Sequence, residues 1–243
     1  MGKPGGLFDL ENHFAFYGAY HSNPINIFIH TLFVWPIFFT SLVLFYFTPT
    51  ICDLSQSGIL PSGFHHVLVF NYGFLFALIY GLFYVILDKK AGSLAALICL
   101  TCWVGATFLA AHLGYSLAWK VVKIILFLSF IFGAINIPSC AFAEHDCSFP
   151  LIRTCVLSIQ VVLAAQLFCW TGQFIGHGVF EKRAPALLDN LVQAFLMAPF
   201  FVLLEVLQSL FGYEPYPGFH ARVKAKIEAE IKEWKDKKQK KNS

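Results

Sequence analysis

The chain has 243 residues, 58% of them hydrophobic and 13% charged, with a mean hydropathy of +0.67 and a formal charge of +3. That composition excludes a soluble globular domain and describes an integral membrane protein. The positive balance comes from a Lys-rich tail, Arg222 to Lys241, rather than from the body; it bears on membrane orientation, and no nucleic-acid motif accompanies it.

The opening MGKPGG has neither a basic run leading into an apolar core nor a small-residue cleavage site, so no cleavable signal peptide is expected. Gly6 also stands where a myristoylation signal needs Ser or Thr. Ser22 or Asn23 is a good N-cap and Pro24 a good first helical residue, which opens a helix beside His21 with His30 less than two turns in. Crossing roughly 30 Å of hydrocarbon takes about 20 apolar residues. Runs of that kind predict four spans, at Ile25 to Phe47, Val67 to Leu87, Leu94 to Leu113 and Val156 to Ile175. A run at Val121 to Ile137 is shorter. The last, Leu187 to Phe211, carries Asp189, Asn190, Gln193 and Glu205 and is expected to bend at Pro199.

Basic residues near span ends place the Asp88-Lys89-Lys90 loop, the Lys182-Arg183 pair and the tail in the cytosol, and the Thr48 to Gly63 loop in the lumen. A fifth span within Val121 to Gln160 would break this parity. The chain finishes Lys240-Lys241-Asn242-Ser243, which matches the dilysine retrieval signal of endoplasmic reticulum membrane proteins. The expected fold is all-α: a polytopic membrane helix bundle with four spans, a bent re-entrant or in-plane C-terminal helix and a basic cytosolic tail. Residues 1–220 form one membrane-embedded domain and residues 221–243 the tail.

Seven cysteines lie mostly in apolar runs (Cys99, Cys102, Cys169) and read as small hydrophobes, with no second CxxC or nearby His to complete a zinc site. Histidines are more informative, since an unpartnered imidazole costs a few kcal/mol to bury and ionisable groups at membrane depth mark functional sites. His21 and His30 flank the entrance of the first span. In WTGQFIGHGVFEKRAPAL, Trp170 to Leu187, a helix would stack Gln173, His177 and Glu181 on one face, with Gly172, Gly176 and Gly178 leaving room for a neighbour. The plainer readings are interfacial histidines bonded to water or backbone, and a Glu181 that pairs with Lys182, Arg183 or a tail lysine. Two histidines near one helix start, with His and Glu on another helix, are the ligand types of a non-haem iron site. HExxH, the histidine boxes of membrane desaturases, GxSxG, the P-loop and GxGxxG are all absent. His112 is open as a fourth ligand or an interfacial cap; His65, His66, His145 and His220 read as surface residues, and His13 as a supporting neighbour of His21.

FAFYGAYHSNPINIFIH with the following FVWP, and later QFIGHGVFEKRAPALLDNLVQAFLMAPFFVLLEVL, closely resemble the endoplasmic reticulum 2-hydroxy fatty acid dioxygenase family known from fungal phytosphingosine breakdown, which has plant and bacterial relatives. The resemblance covers about Leu7 to Lys120 and Val161 to Phe219. It implies an Fe(II)-dependent enzyme of the endoplasmic reticulum membrane that uses O2 to shorten a 2-hydroxy fatty acid by one carbon, the reaction of fatty acid alpha-oxidation. The family's motif histidines fall on His21, His30 and His177, which would hold the metal. Glu181 would be a fourth ligand or the acceptor that orients an imidazole; Lys182, Arg183 and Gln173 would contact the substrate, and membrane lipid would surround the acyl chain. The chain departs from the family where Trp119-Lys120 would run almost directly into Val161, so 121–160 reads as an insertion or a translated intron without functional residues. Two rival readings are a non-catalytic membrane protein that binds a partner or anionic lipid through its last segment and tail, and an acyl-transfer enzyme with His177 as base.

Overall fold

The computed structural model describes residues 6–52, 70–112, 150–184 and 193–242, and these are mostly helical. Helix α1, Leu10–Tyr20, starts at Asp9, whose carboxylate accepts the Asn12 N–H at 3.1 Å, and ends at His21, which leaves helical geometry at φ −131°. Helix α2, Pro24–Tyr46, opens as expected: the Asn23 side-chain oxygen accepts the Ile25 N–H at 2.9 Å, and Pro24 needs no donor in the first turn. Helices α3, Tyr72–Leu87, and α4, Lys89–His112, meet at Asp88, which caps α4 by accepting the Ala91 N–H at 2.6 Å. Helix α5, Pro150–Ile175, runs on into a wide π-type turn, Gly176–Glu181, and a second such turn, Gln193–Met197, leads into α6, Ala198–Phe211. Helix α7 is Phe219–Asn242. A short strand, Thr50–Cys52, pairs antiparallel with Phe70–Asn71.

Three described segments are long and apolar enough to cross a membrane: Pro24–Tyr46, Lys89–Ala111 and Ala194–Phe211. The first and third expected spans thus appear. The second is an apolar helix of 16 residues, about 24 Å at 1.5 Å per residue. The fourth lies wholly inside α5, of which side chains are described only over 160–175, too short a stretch to test it as a span. The segment expected to bend at Pro199 qualifies instead, because Pro199 falls in the first turn of α6, where its missing N–H costs least. The carbonyl one turn before Pro199, that of Phe195, receives the Tyr80 hydroxyl at 3.1 Å, and the Leu196 carbonyl receives Tyr84 at 2.8 Å. The expectations for 121–160 lie outside the described residues, except that 150–160 open α5.

The chain divides into two compact units. One, built from residues 39–76 and 102–170, centres on Leu42 and Val43, with Phe70 and Phe74 against Trp103 and Gln166 donating to Thr40 and Ser41 at 2.9 Å each. The other, residues 1–38, 77–101 and 171–243, holds every polar group discussed below. Its fully buried side chains include Tyr84, Met197, Phe200, Phe201 and Phe219.

The basic 221–243 segment, expected as a tail, is helical to Asn242 and belongs to this second unit. It docks on α1 through a stripe at helical spacing: Phe219 stacks on Phe14 at 5.7 Å, and Ile227 lies against Gly18, where a Cβ would collide with it. Glu11 fixes the register by pairing with Arg222 at 2.9 Å and Lys226 at 2.7 Å. Lys226 above all, then Arg222, hold the Glu11 carboxyl down at about 2, against a smaller opposing effect of desolvation. Because the docked value lies below the free one, this contribution is complete above the ordinary carboxylate range and is lost as pH falls toward about 2. A spin-label distance between exposed positions on α1 and α7 should therefore hold steady near neutral pH and broaden in acid, whereas Glu11→Gln should broaden it at every pH.

Candidate metal centre

The corner at His21 to Asn23 folds the end of α1 back over the first turns of α2, and so turns a sequence separation of nine residues into a contact. The His21 and His30 rings stand 4.2 Å apart between centroids at 77°. His177, second residue of the wide turn after α5, completes the group at 4.9 Å from His21 and 4.8 Å from His30, again edge to face. All three are buried, at 7%, 6% and 4% exposure, and one candidate ligand nitrogen from each lies within 4.8 Å of the others.

Their hydrogen bonds say which nitrogens are free. His21 Nδ1 lies 2.7 Å from the Tyr17 carbonyl and His30 Nδ1 lies 3.0 Å from the Asn26 carbonyl. A carbonyl only accepts, so both Nδ1 atoms carry the hydrogen and both Nε2 atoms keep a lone pair. His21 Nε2 and His177 Nδ1 are buried without any hydrogen bond. Burial first, then His30 and His177, pushes His21 well below its usual range; burial likewise brings His177 down to about 4, with Glu181 opposing and Arg183 assisting. His21 and His177 are therefore neutral at physiological pH. Buried nitrogens without a hydrogen bond on two of three converging rings cost stability unless a cation takes them up. Imidazole suits iron, zinc, copper or nickel, and three such ligands leave positions open for other groups, so the donor set fits Fe(II).

Glu181 lies outside this group of three. Its Oε2 accepts the Ser22 hydroxyl at 2.9 Å; its Oε1 accepts the Asn23 N–H at 2.6 Å and the Asn26 side-chain N–H at 3.3 Å. A carboxylate so placed anchors the positive end of the α2 dipole. The acceptors that orient His21 and His30 are the carbonyls of Tyr17 and Asn26. Gln173, 6% exposed, ends in a buried Nε2 without a hydrogen bond. Lys182 is exposed and left-handed, at φ 53°, where the wide turn stops. Arg183 turns the other way: Nη1 donates to the Ala19 carbonyl at 2.9 Å, and the guanidinium lies 3.5 Å above the Tyr20 ring and 5.4 Å from Trp234. His13 bonds to the Gly6 carbonyl and His220 to Gln208. The side chain of His112, and His65, His66 and His145 entirely, lie outside the described residues.

Gly172 and Gly176 let the wide turn approach α2: a Cβ on Gly172 would strike the Phe33 ring, and one on Gly176 would strike the Asn26 side chain. Gly178, expected to do the same, faces open space. Tyr17 and Asn26 were not singled out from sequence. Each stands four residues before a histidine, the reach of one helical turn, and that spacing is the signal that could have found them.

The family described as 2-hydroxy-palmitic acid dioxygenase Mpo1-like matches residues 7–210. A Saccharomyces cerevisiae protein, the 2-hydroxy-palmitic acid dioxygenase MPO1, is 28% identical over 226 residues, which cover 93% of this chain and 91% of the yeast protein. No solved structure matches. With the match spanning the α1–α2 corner that carries His21 and His30 and the wide turn that carries His177, the chain belongs to the 2-hydroxy-palmitic acid dioxygenase Mpo1-like family.

Proposed function

We propose that this chain is an Fe(II)-dependent dioxygenase of the endoplasmic reticulum membrane, its C-terminus cytosolic, that shortens 2-hydroxy fatty acids by one carbon in sphingoid base breakdown. The observation that carries this reading is the convergence of the buried His21, His30 and His177, with His21 Nε2 and His177 Nδ1 free of any hydrogen bond. Those three residues would hold the iron, which supplies the redox chemistry and open positions for substrate and O2. The overall conversion balances without a further reductant: R-CH(OH)-COOH and O2 give R-COOH, CO2 and water.

The protein's part is to hold and to exclude. Lys182, exposed at the end of the wide turn, meets the substrate carboxylate, while Arg183 keeps the turn tied to α1. The unpaired amide hydrogens of Gln173 serve a substrate oxygen. Exposed apolar residues on the same elements, Ile25, Phe28, Phe174 and Val179, give the acyl chain a path in from lipid. Water has little access to the three rings, which protects reactive intermediates from side reactions.

Purified protein given 2-hydroxypalmitate under O2 should yield the acid one carbon shorter, seen by mass spectrometry. Chelation should stop the reaction and Fe(II), but not Zn(II), should restore it. Absence of product from iron-loaded protein, or product formed without O2, overturns the reading.

A further inference from the structure

Glu205 is the one acidic residue of the apolar segment Ala194–Phe211. A carboxylate at membrane depth is costly and calls for a reason. Its Oε2 accepts the Tyr17 hydroxyl at 2.9 Å. Tyr17 is buried at 6% exposure, and its ring is packed between Phe14 at 5.9 Å and Phe201 at 5.4 Å. Tyr17 also meets His21. The Tyr17 ring lies 4.0 Å from the His21 ring at 22°, a near-parallel stack, and the Tyr17 carbonyl holds His21 Nδ1. His21 has left the helix, so no regular backbone fixes its ring; Tyr17 grips it both in its plane and on its face.

We infer that Tyr17 is a positioning residue for His21 and that Glu205, reaching across from α6, anchors Tyr17 so that the His21 Nε2 lone pair stays aimed at His30 and His177. The inference rests on the reading of the three histidines as a metal centre. Through this pair the segment ending at Phe211, which supplies no histidine, becomes part of the centre's support.

Three variants separate the contributions. Tyr17→Leu removes stack and hydroxyl together, Tyr17→Phe removes only the hydroxyl, and Glu205→Gln keeps an acceptor in place. With Co(II) as the probe on the full chain in detergent, Tyr17→Leu should weaken binding about 10- to 100-fold and alter the visible Co(II) spectrum of the folded protein. Tyr17→Phe should do so less, and Glu205→Gln should come closest to the parent. A purely structural role would lower thermal stability and leave the spectrum of the folded, loaded fraction unchanged, and that result overturns the inference. If the parent protein takes up no Co(II), the metal-centre reading fails, and the positioning claim is then decided by carbethoxylation of His21, mapped by mass spectrometry without metal. It should speed up at least several-fold in Tyr17→Leu; equal rates in the two proteins sink the claim.

Discussion

His177→Ala should empty the centre of iron and abolish chain shortening while leaving the helices in place. His177 is the contribution of the distant half of the chain to a group whose other two members lie within ten residues of each other. Without it two imidazoles face a space that no third ligand closes. Loss of affinity should exceed the roughly 10- to 100-fold typical of outer partners, and iron measured on purified protein should fall to background. The metal-free protein should behave in the opposite sense. Removing a buried nitrogen that has no hydrogen bond removes a desolvation penalty, so the metal-free variant should melt no lower than its parent apart from the small cavity left behind. Glu181→Gln gives the contrast. Its amide oxygen can still accept the Asn23 N–H, but one oxygen now does the work of two, so stability should drop by about 1–3 kcal/mol with iron retained. If Glu181→Gln loses iron as completely as His177→Ala, the carboxylate is a ligand and the anchoring account is wrong.

Gly176→Ala should be severe for so small a change, and Gly178→Ala two residues away nearly silent. The added methyl on Gly176 meets the Asn26 side-chain oxygen and lies close to Ile29. Asn26 cannot step aside without cost: it is fully buried, its amide donates to the Tyr20 carbonyl and to Glu181, and its own carbonyl holds His30. Overpacking of this kind costs about 1–3 kcal/mol, and here the displaced side chain belongs to the residue whose backbone carbonyl aims His30. Thermal melting and iron content should therefore fall together in Gly176→Ala. At Gly178 a Cβ meets open space, so that variant should keep both.

Much of the cluster was legible because histidine is rare in an apolar run and its burial needs a reason; that ground marked His21 and His30, helical spacing marked His177, and the family resemblance joined the three. The first and third spans and the Asn23-Pro24 helix start were equally readable, since capping and hydropathy act over a few neighbouring residues. The carboxylate of Glu181 was not. Its partners Ser22, Asn23 and Asn26 lie some 155 to 159 positions away, and no local spacing announces a bond over that distance. Helical stacking of Gln173, His177 and Glu181 assumed 3.6 residues per turn, whereas the chain widens from Gly176 onward; π-type turns leave no composition signature. The docking of the 221–243 segment was not legible for a different reason: its charge dominates the composition, while the apolar stripe of Phe219, Val223 and Ile227 is only three residues long.

The widened turn behaves like a helix that has swallowed one residue too many. Excising a single residue between Gly178 and Phe180 would return the stretch to ordinary winding and leave Glu181 and Arg183 near their present bearings, because the wide turn is what absorbs the extra residue. A stretch whose Gly178 and Val179 are open to their surroundings thus tolerates exchange of side chains and the loss of one residue, whereas the same loss from the regular winding of α5 would turn Glu181 and Arg183 away from their partners by about 100°.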